Sequence, residues 1–374
     1  MLDIQQVAAA IQDQDYRTAA QLLKQVQQES PNHPWLKFYI GRLYEATDKW
    51  DRAEQVYRKL LQSATNSKVI TQARQGLQRL ETLESHRRKA AISQATAQPQ
   101  AEEPGVLILE PIAPEQKMAM AQQLARIFKT DAYTARMQLQ SRGWRLYRTG
   151  SIGELQVYGE EMQQAGISVF WASLAEIRKI NVFRVQYIQS LTPQPILVCR
   201  DHQDQLGSLE FSWSEVSQQV EGLLPLFMEA MDFDPRRQRG DRFRHKEMIQ
   251  DYVQIHDLHL LNRCTILRFC DQSYQFHQGV SLTKASTEAS EPSTPLTQST
   301  TRLNWNQLLA TFNQHLPENI WSEFTPFAET TLDYTQLLKQ LPPQIDIERK
   351  SETPWDAAFQ LYSGLVFQHC SGPK

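Results

Sequence analysis

The stretch whose reading decides the fold is Pro34-Trp35-Leu36-Lys37-Phe38-Tyr39-Ile40-Gly41-Arg42-Leu43-Tyr44-Glu45, continuing through Trp50-Asp51-Arg52-Ala53-Glu54-Gln55-Val56-Tyr57 to Ser67. Its apolar residues recur every three or four positions, which predicts two amphipathic helices. The preceding residues repeat the pattern. Tyr16-Arg17-Thr18-Ala19 aligns with Trp50-Asp51-Arg52-Ala53, and without a gap Leu23 falls on Tyr57, Val26 on Leu60 and Asp15 on Lys49, a constant offset of 34 residues. Self-similarity at this period marks a helical solenoid, in which each helix pair hides its apolar face against its neighbour. A third segment places Ile70, Ala73, Leu77 and Leu80 at helical spacing and ends in the charged run Glu84 to Lys89. It reads as a cap helix with a polar outer face. Two units and a cap fall short of the three repeats that a free-standing solenoid needs, so this one is expected to lean on another domain or a partner.

These residues resemble the tetratricopeptide repeat (TPR) family. Gly41 matches the small residue where paired helices cross closely, and Ala53 the small residue at the second contact. Tyr44 and Tyr57 match the large residues between helices, and Pro31 the proline that ends a repeat. Thr65 departs from that proline in the second copy, and Val7 stands at the glycine-like position of the first. The resemblance implies protein binding in a groove lined by the first helix of each repeat. Carried over by position, the partner-binding residues are Ile4, Ile11, Trp35, Phe38, Arg42 and Glu45. Trp35 and Phe38 are equally readable as core.

The rest of the chain is an α+β region. Across 374 residues, 41% are hydrophobic and 22% charged, with a net charge of −3. The pI near 6.3 and mean hydropathy of −0.52 give no global drive toward nucleic acid or anionic membrane. No apolar run is long enough for a spanning helix. The N-terminus lacks the basic region of a secretory signal. Cys199, Cys264, Cys270 and Cys370 form no C-x-x-C pair. A cytoplasmic location with free thiols is therefore expected.

Residues 91–105, rich in Ala, Gln, Glu and Pro, read as a flexible linker, with continuation of the cap helix to about residue 97 as the alternative. Residues 106–178 then read as a βααβαβ module. Val106 to Leu109 is its first strand, Pro114 opens a helix, and Thr130 or Asp131 caps a second that ends near Gly143. Leu146 and Tyr147 lie in a strand. Ser151-Ile152-Gly153-Glu154 reads as a capping box, and Ile167 to Trp171 as the closing strand. This order, with the ending Glu161-Met162-Gln163-Gln164-Ala165-Gly166-Ile167-Ser168-Val169, resembles the C-terminal domain of the ribosomal stalk protein L7/L12. That resemblance implies a second protein-interaction surface, although Lys129-Thr130-Asp131 replaces the family's glycine-rich loop.

Residues 180–374 read as one strand-rich α+β domain. Strands are expected at Phe183–Leu191, Ile196–Cys199 and Leu209–Phe211, a helix from Ser214 to Glu229 broken at Pro225, and a hairpin of Tyr252–Leu260 with Thr265–Phe276. The Ser/Thr/Pro tract 281–302 reads as a disordered insertion. Helices follow at Trp305–Leu316 and Leu332–Leu341, and Trp355–Phe367 is apolar enough to re-enter the core. Three phrases, Tyr133-Thr134-Ala135-Arg136-Met137, Trp144-Arg145-Leu146-Tyr147-Arg148-Thr149-Gly150 and Phe359-Gln360-Leu361-Tyr362-Ser363-Gly364-Leu365, resemble a TPR-containing family associated with cyanobacteria. That resemblance implies no particular activity.

Signs of chemistry are few. Phosphate-loop, dinucleotide, zinc-protease and nucleophile-elbow motifs are all missing from the sequence. His256, Asp257, His259, Cys264 and Cys270 are the best metal candidates. Strand alternation points His256 and His259 to opposite faces, and it separates the two cysteines by roughly 20 Å. One tetrahedral ion cannot collect them, so no metal and no cofactor is expected. Arg236, Arg237, Arg239, Arg242, Arg244 and Lys246 place six positive charges in eleven residues around Phe243. They form a candidate anion-binding patch, partly offset by Asp232, Asp234 and Asp241. Trp144, Arg145, Tyr147 and Arg148 are a weaker echo, two of them core by alternation.

The expected function is that of a non-enzymatic adaptor, scaffold or assembly factor that binds one or more proteins through the repeat groove. Two alternatives stand beside it. One is a nucleic-acid-associated regulator using the 236–246 patch. The other is an enzyme whose site in 180–374 forms only in three dimensions.

Overall fold

The computed structural model describes residues 4–31, 33, 35–233, 243–280, 301–349 and 352–371, with 228–233 and 243–248 described by their backbone alone. They form two units, 1–94 and 95–374. The first is all helical: α1 (Ile4–Gln12), α2 (Tyr16–Glu29), α3 (Leu36–Ala46), α4 (Trp50–Ser63) and α5 (Ser67–Ala95). The 34-residue period extends to the turns, because Gln14 and Asp48 both take left-handed backbone, at φ 60° and 55°. Ala19 and Ala53 are fully buried at equivalent positions.

Tyr57 organises the second repeat. It is fully buried, with its ring between Gly41 of α3 and Gly76 of α5. A Cβ at Gly41 would lie 2.5 Å from Cε1, and one at Gly76 2.7 Å from Cε2. The ring therefore uses the space of two missing side chains. In the first repeat Val7 replaces the glycine and Leu23 replaces the tyrosine, and both are buried in one cluster. The apparent departure at Val7 is a volume exchange, with a larger residue on one helix facing a smaller one on the other.

Residues 91–95 are helical, and Pro99–Glu102 forms a 3-10 turn. The Ala/Gln/Glu composition read as a linker is also a set of good helix formers, and the helix wins as far as Ala95. Glu103 is tied down as well. Its carbonyl accepts from the Ile152 N–H at 2.9 Å, and its carboxylate accepts from the Ser173 hydroxyl at 2.9 Å.

The second unit begins with β1 (Pro104–Leu109), α6 (Lys117–Phe128), α7 (Ala132–Gln138), β2 (Arg145–Ser151), α8 (Ile152–Gln164) and β3 (Val169–Ser173). This is the anticipated βααβαβ order, as an antiparallel sheet β2-β1-β3. The Asp131 carboxylate caps α7, accepting from the Thr134 N–H at 2.9 Å. At Ser151 the expected capping box is half made. The hydroxyl accepts from the Glu154 N–H, but the Glu154 carboxylate turns to Arg148 at 2.8 Å.

There follow α9 (Leu174–Arg178), β4 (Asn181–Ser190), β5 (Ile196–Arg200), β6 (Leu206–Glu210), β7 (Gln218–Phe233), β8 (Phe243–Leu260), β9 (Thr265–Cys270), α10 (Thr301–His315), β10 (Ile320–Trp321), α11 (Phe324–Thr331), α12 (Thr335–Leu338) and α13 (Pro354–Ser371). The sheet order is β10-β7-β8-β9-β4-β5-β6, with β4/β9 and β7/β10 parallel and the other pairs antiparallel. The helix expected from Ser214 to Glu229 is strand β7. Pro225 suits it because β10 pairs only with Gln219 and Val220, so at Pro225 β7 is an edge strand that needs no second donor. The helix expected at Leu332–Leu341 is reduced to α12 (Thr335–Leu338), since α11 has already ended at Thr331. Thr301 and Arg302, assigned to the insertion, open α10, whereas 281–300 lie outside the described residues.

A helix covers each face of the large sheet. On one face, α10 places Trp305, Leu308 and Phe312 against Leu258, Leu260, Leu267 and Phe269. On the other, α13 is buried along its length from Asp356 to Phe367. The α13 cluster also contains Val106, Ile108, Trp144 and Leu146. The residues read as a module at 106–178 and those read as a separate domain thus share one core. Among the described residues no helix is long and apolar enough to cross a membrane.

The Tyr57 packing has a direct test. Gly41→Ala has to move a ring that Gly76 blocks from behind, and it should cost about 1–3 kcal/mol. Tyr57→Phe removes only a hydrogen bond and should cost about 1 kcal/mol. Hydrogen exchange of α3 to α5 amides in the full chain reads both, and an unchanged Gly41→Ala profile would show that the ring has room to shift.

Candidate functional site

The partner-binding set read from the sequence divides in the structure. Ile11 and Phe38 are core, at 8% and 5% exposure. Ile11 belongs to the first-repeat cluster, and Phe38 packs on Tyr57 with centroids 6.1 Å apart. Side chains buried between helices, Ile11 on α1 and Phe38 on α3, cannot also face a ligand, so these two leave the set. Ile4, Trp35 and Arg42 keep part of their surface. Trp35 stands edge-on to Phe38 at 5.5 Å, which fixes its indole.

Glu45 has an internal role. Its carboxylate accepts from the Tyr57 hydroxyl at 2.8 Å and from Arg79 of α5 at 2.8 and 3.1 Å. Burial opposes its charge, but the Arg79 and Tyr57 hydrogen bonds win, and its pKa lies below the usual carboxylate value. Burial and that neighbouring charge push the Tyr57 phenol up. Arg42 lies 3.6 Å from Glu45 with its side chain 36% exposed. Arg79 escaped the sequence reading, although it stands one period after Glu45.

The metal candidates of the second unit separate as strand alternation requires. His256 turns to the α10 face, where its Nε2 is 3.1 Å from the Gln219 amide oxygen and its ring stacks on Phe312. Asp257 and His259 turn to α13. Cys264 is exposed and Cys270 buried. Among the described residues no three His, Cys, Asp or Glu side chains converge on a common point.

Asp257 instead anchors a buried ion pair. Arg268 donates to its two oxygens at 2.9 and 2.7 Å, and both side chains are almost wholly inaccessible, at 0% and 1%. The remaining guanidinium nitrogen donates to the Pro343 carbonyl at 2.6 Å and to Gln360 at 2.8 Å. The Ser363 hydroxyl donates to Asp257 at 2.6 Å, so it must accept from His259 Nε2 at 3.0 Å. Serine, histidine and aspartate therefore meet, but the proton order is that of a structural brace. The hydroxyl proton points to the carboxylate, no base stands ready to remove it, and all three residues are fully buried. Burial lowers the His259 pKa to about 4.

Of the basic patch, Arg236, Arg237, Arg239 and Arg242 lie outside the described residues. Arg244 and Lys246 stand on β8, opposite Asp232 and Ala230. Because β9 pairs with β8 only from Ile255 to Leu260, the part of β7 and β8 beyond Gly222 and Ile255 is a two-stranded arm among the described residues. Leu223, Phe227, Ile249 and Tyr252 on that arm are exposed. In the weaker echo, Trp144 is buried, Tyr147 packs on Phe128, Arg148 pairs with Glu154, and Arg145 lines a cavity.

The His259 pKa sets a pH dependence. Between pH 6.5 and about 4 the unfolded chain binds a proton that the folded chain refuses, so stability falls as the pH drops through that window. From pH 6.5 to 5 the loss should be about 2 kcal/mol. Urea unfolding at those two pH values should show a smaller drop for His259→Gln than for the parent. Equal drops would remove His259 as the source.

Comparison with known proteins bears on the first unit. A family model described as tetratricopeptide repeat matches residues 10–93, which takes in α2 to α5. No match was found among curated proteins or solved structures. Residues 10–93 are thus similar to the tetratricopeptide repeat, a class of helical module that binds other proteins.

Proposed function

We propose that this chain is a non-catalytic cytoplasmic adaptor or assembly factor whose repeat segment holds a peptide or helix of a partner protein. The observation that carries the reading is the repeat match over residues 10–93. Its Tyr57–Glu45–Arg79 contacts brace a rigid platform, and Ile4, Trp35 and Arg42 keep accessible surface on it. The wiring of the Ser363–His259–Asp257 cluster supports the non-catalytic part, and four free cysteines suit a reducing compartment. Affinity capture from native cells, with the full chain as bait, tests the proposal. A Trp35→Ala, Arg42→Ala double variant should lose at least one partner that the parent recovers, while its thermal unfolding stays within a few degrees of the parent. Recovery of every partner by a folded double variant would overturn the groove assignment.

A second reading has its own observation. The two-stranded arm carries Arg244 and Lys246 on β8, and β-ribbons of other proteins enter nucleic-acid grooves. If the arm binds nucleic acid, affinity for a random-sequence duplex must fall steeply with salt, because phosphate contact releases counterions. Binding that is undetectable at low salt, or indifferent to it, eliminates this reading.

A further inference from the structure

We infer that two copies of this chain associate through the apolar face of the β7–β8 arm, packed face to face across a two-fold axis. Beyond Gly222 and Ile255 the arm is a two-stranded ribbon among the described residues, and strand alternation gives it two faces. One face is core: Leu224 and Val253 are fully buried in the α13 cluster, and Leu226 packs against it. The other should then be polar, as in an antiparallel sheet with one wet side. It carries Leu223, Phe227, Ile249 and Tyr252 instead, which are 46%, 41%, 47% and 48% exposed. The register sets Ile249 opposite Phe227 and Tyr252 opposite Pro225, two residues after Leu223, so the four share one face. Taking about 200 Å² for a full side chain of this size, they expose roughly 360 Å², within the range of functional apolar patches.

The edges of the arm are closed to sheet extension. On β7, Pro225 lacks the N–H that an added strand would need. On β8 the ladder bulges at the shift between Leu226 and Phe227, and the Tyr252 N–H is taken by the Asp251 carboxylate at 2.8 Å. A proline and a bulge are devices by which sheet edges avoid open-ended pairing. The face is what remains for contact, and contact through one face across a two-fold closes at two copies.

Charge and area narrow the occupant to a second copy. The four side chains carry no charge, and between Phe227 and Ile249 the sequence has six Lys and Arg against five Asp and Glu. A polyanion or an anionic membrane gains little from that balance. A surface equally apolar and equally mixed in charge suits it, and the same arm on another copy is such a surface. The ribbon continues past the patch to Phe233 and Phe243, as far again as the patch itself. Its whole face therefore offers roughly 700 Å² per copy, close to the ~800 Å² that each side of a stable, specific interface buries. A lone two-stranded ribbon is marginal in water, and a second ribbon supplies its missing layer. This inference does not rest on the adaptor proposal. It goes beyond it, because a dimer presents two repeat segments at once.

The test is sedimentation velocity of the full chain from about 0.1 to about 100 μM, the range in which modest interfaces dissociate. The mass should rise with concentration from 43.3 kDa toward twice that value. Phe227→Glu with Ile249→Glu should weaken dimerisation about tenfold or more, and Phe227→Lys with Ile249→Lys should do the same. A mixture of the two charged variants should recover dimer, which misfolded variants cannot do. Hydrogen exchange of the unaltered chain needs no variant: amides of 223–227 and 249–253 should exchange more slowly at the higher concentration than at the lower. A chain that stays monomeric throughout overturns the proposal. So does a dimer that both variants leave intact, arm amides that exchange alike at both concentrations, or a mixture of two folded variants that stays monomeric. Binding of a DNA duplex or of phosphatidylserine vesicles by a monomer, abolished by the glutamate variant, would assign the face to that partner and also overturn it.

Discussion

The contact on which the second unit depends is the ion pair between Asp257 and Arg268. Moving both charges out of water costs several kcal/mol per ion, and their attraction offsets this only when the remaining donors and acceptors are also met. Here they are met from four places in the chain. Asp257 on β8 takes two bonds from Arg268 on β9 and one from Ser363, and Arg268 gives its others to Gln360 and to the Pro343 carbonyl. Removal of any single partner strands a charge or a polar group in a dry interior. The network is thus a condition on the arrangement of β8, β9, α13 and the turn at Pro343, and not a simple stabilising increment.

That condition matters because α13 is ambiguous in every other respect. From Ala357 to Phe367 it is buried all round, and a helix without a polar face has no hydrophobic reason to prefer one rotation over another. Gln360 and Ser363 are three residues apart and so lie on one side of the helix, and both bond into the Asp257–Arg268 pair. They fix rotation and axial position together, since a slide of one turn would leave both partners empty. With α13 fixed, its other sides pack Phe359 and Tyr362 into the core that also holds Val106, Ile108, Trp144 and Leu146. The small sheet and the large sheet become one body through a helix that a few polar atoms hold in register.

The parts legible in the sequence are those that recur or that follow from local chemistry. The repeat was readable because Ala19 and Ala53, or Leu23 and Tyr57, occupy equivalent sites one period apart. The βααβαβ order was readable from capping residues and short apolar runs. Other features depend on tertiary context. Residues 218–229 carry apolar residues that suit a helix as well as a strand, and only pairing with β8 decides between them. Phe38 could be assigned to groove or core only with its helix face known to within one residue. Asp257 and Arg268 lie 11 residues apart on paired strands, and Ser363 is 106 residues from Asp257, so no spacing rule joins them. Glu45 and Arg79 are different. They are 34 residues apart, the repeat period itself, and opposite charges at one repeat position were a usable signal.

The Glu45–Arg79 pair also bears on how a solenoid of two repeats can be stable. A repeat stack needs its last unit covered, and the covering element must supply the contacts that the next repeat would have made. Helix α5 does so at the level of single atoms. Gly76 gives Tyr57 a second flat wall, and Arg79 neutralises the half-buried Glu45 carboxylate that Tyr57 also needs. Val69, Ala73 and Leu80 complete the apolar cover around Phe38 and Leu60. The helix runs on for 29 residues, well beyond the length these contacts require. Trp35 at the edge of that cluster and Arg42 beside Glu45 are held by the closed stack yet keep part of their surface exposed. A binding surface requires both, because a side chain fixed on one side and open on the other meets a partner with little ordering cost.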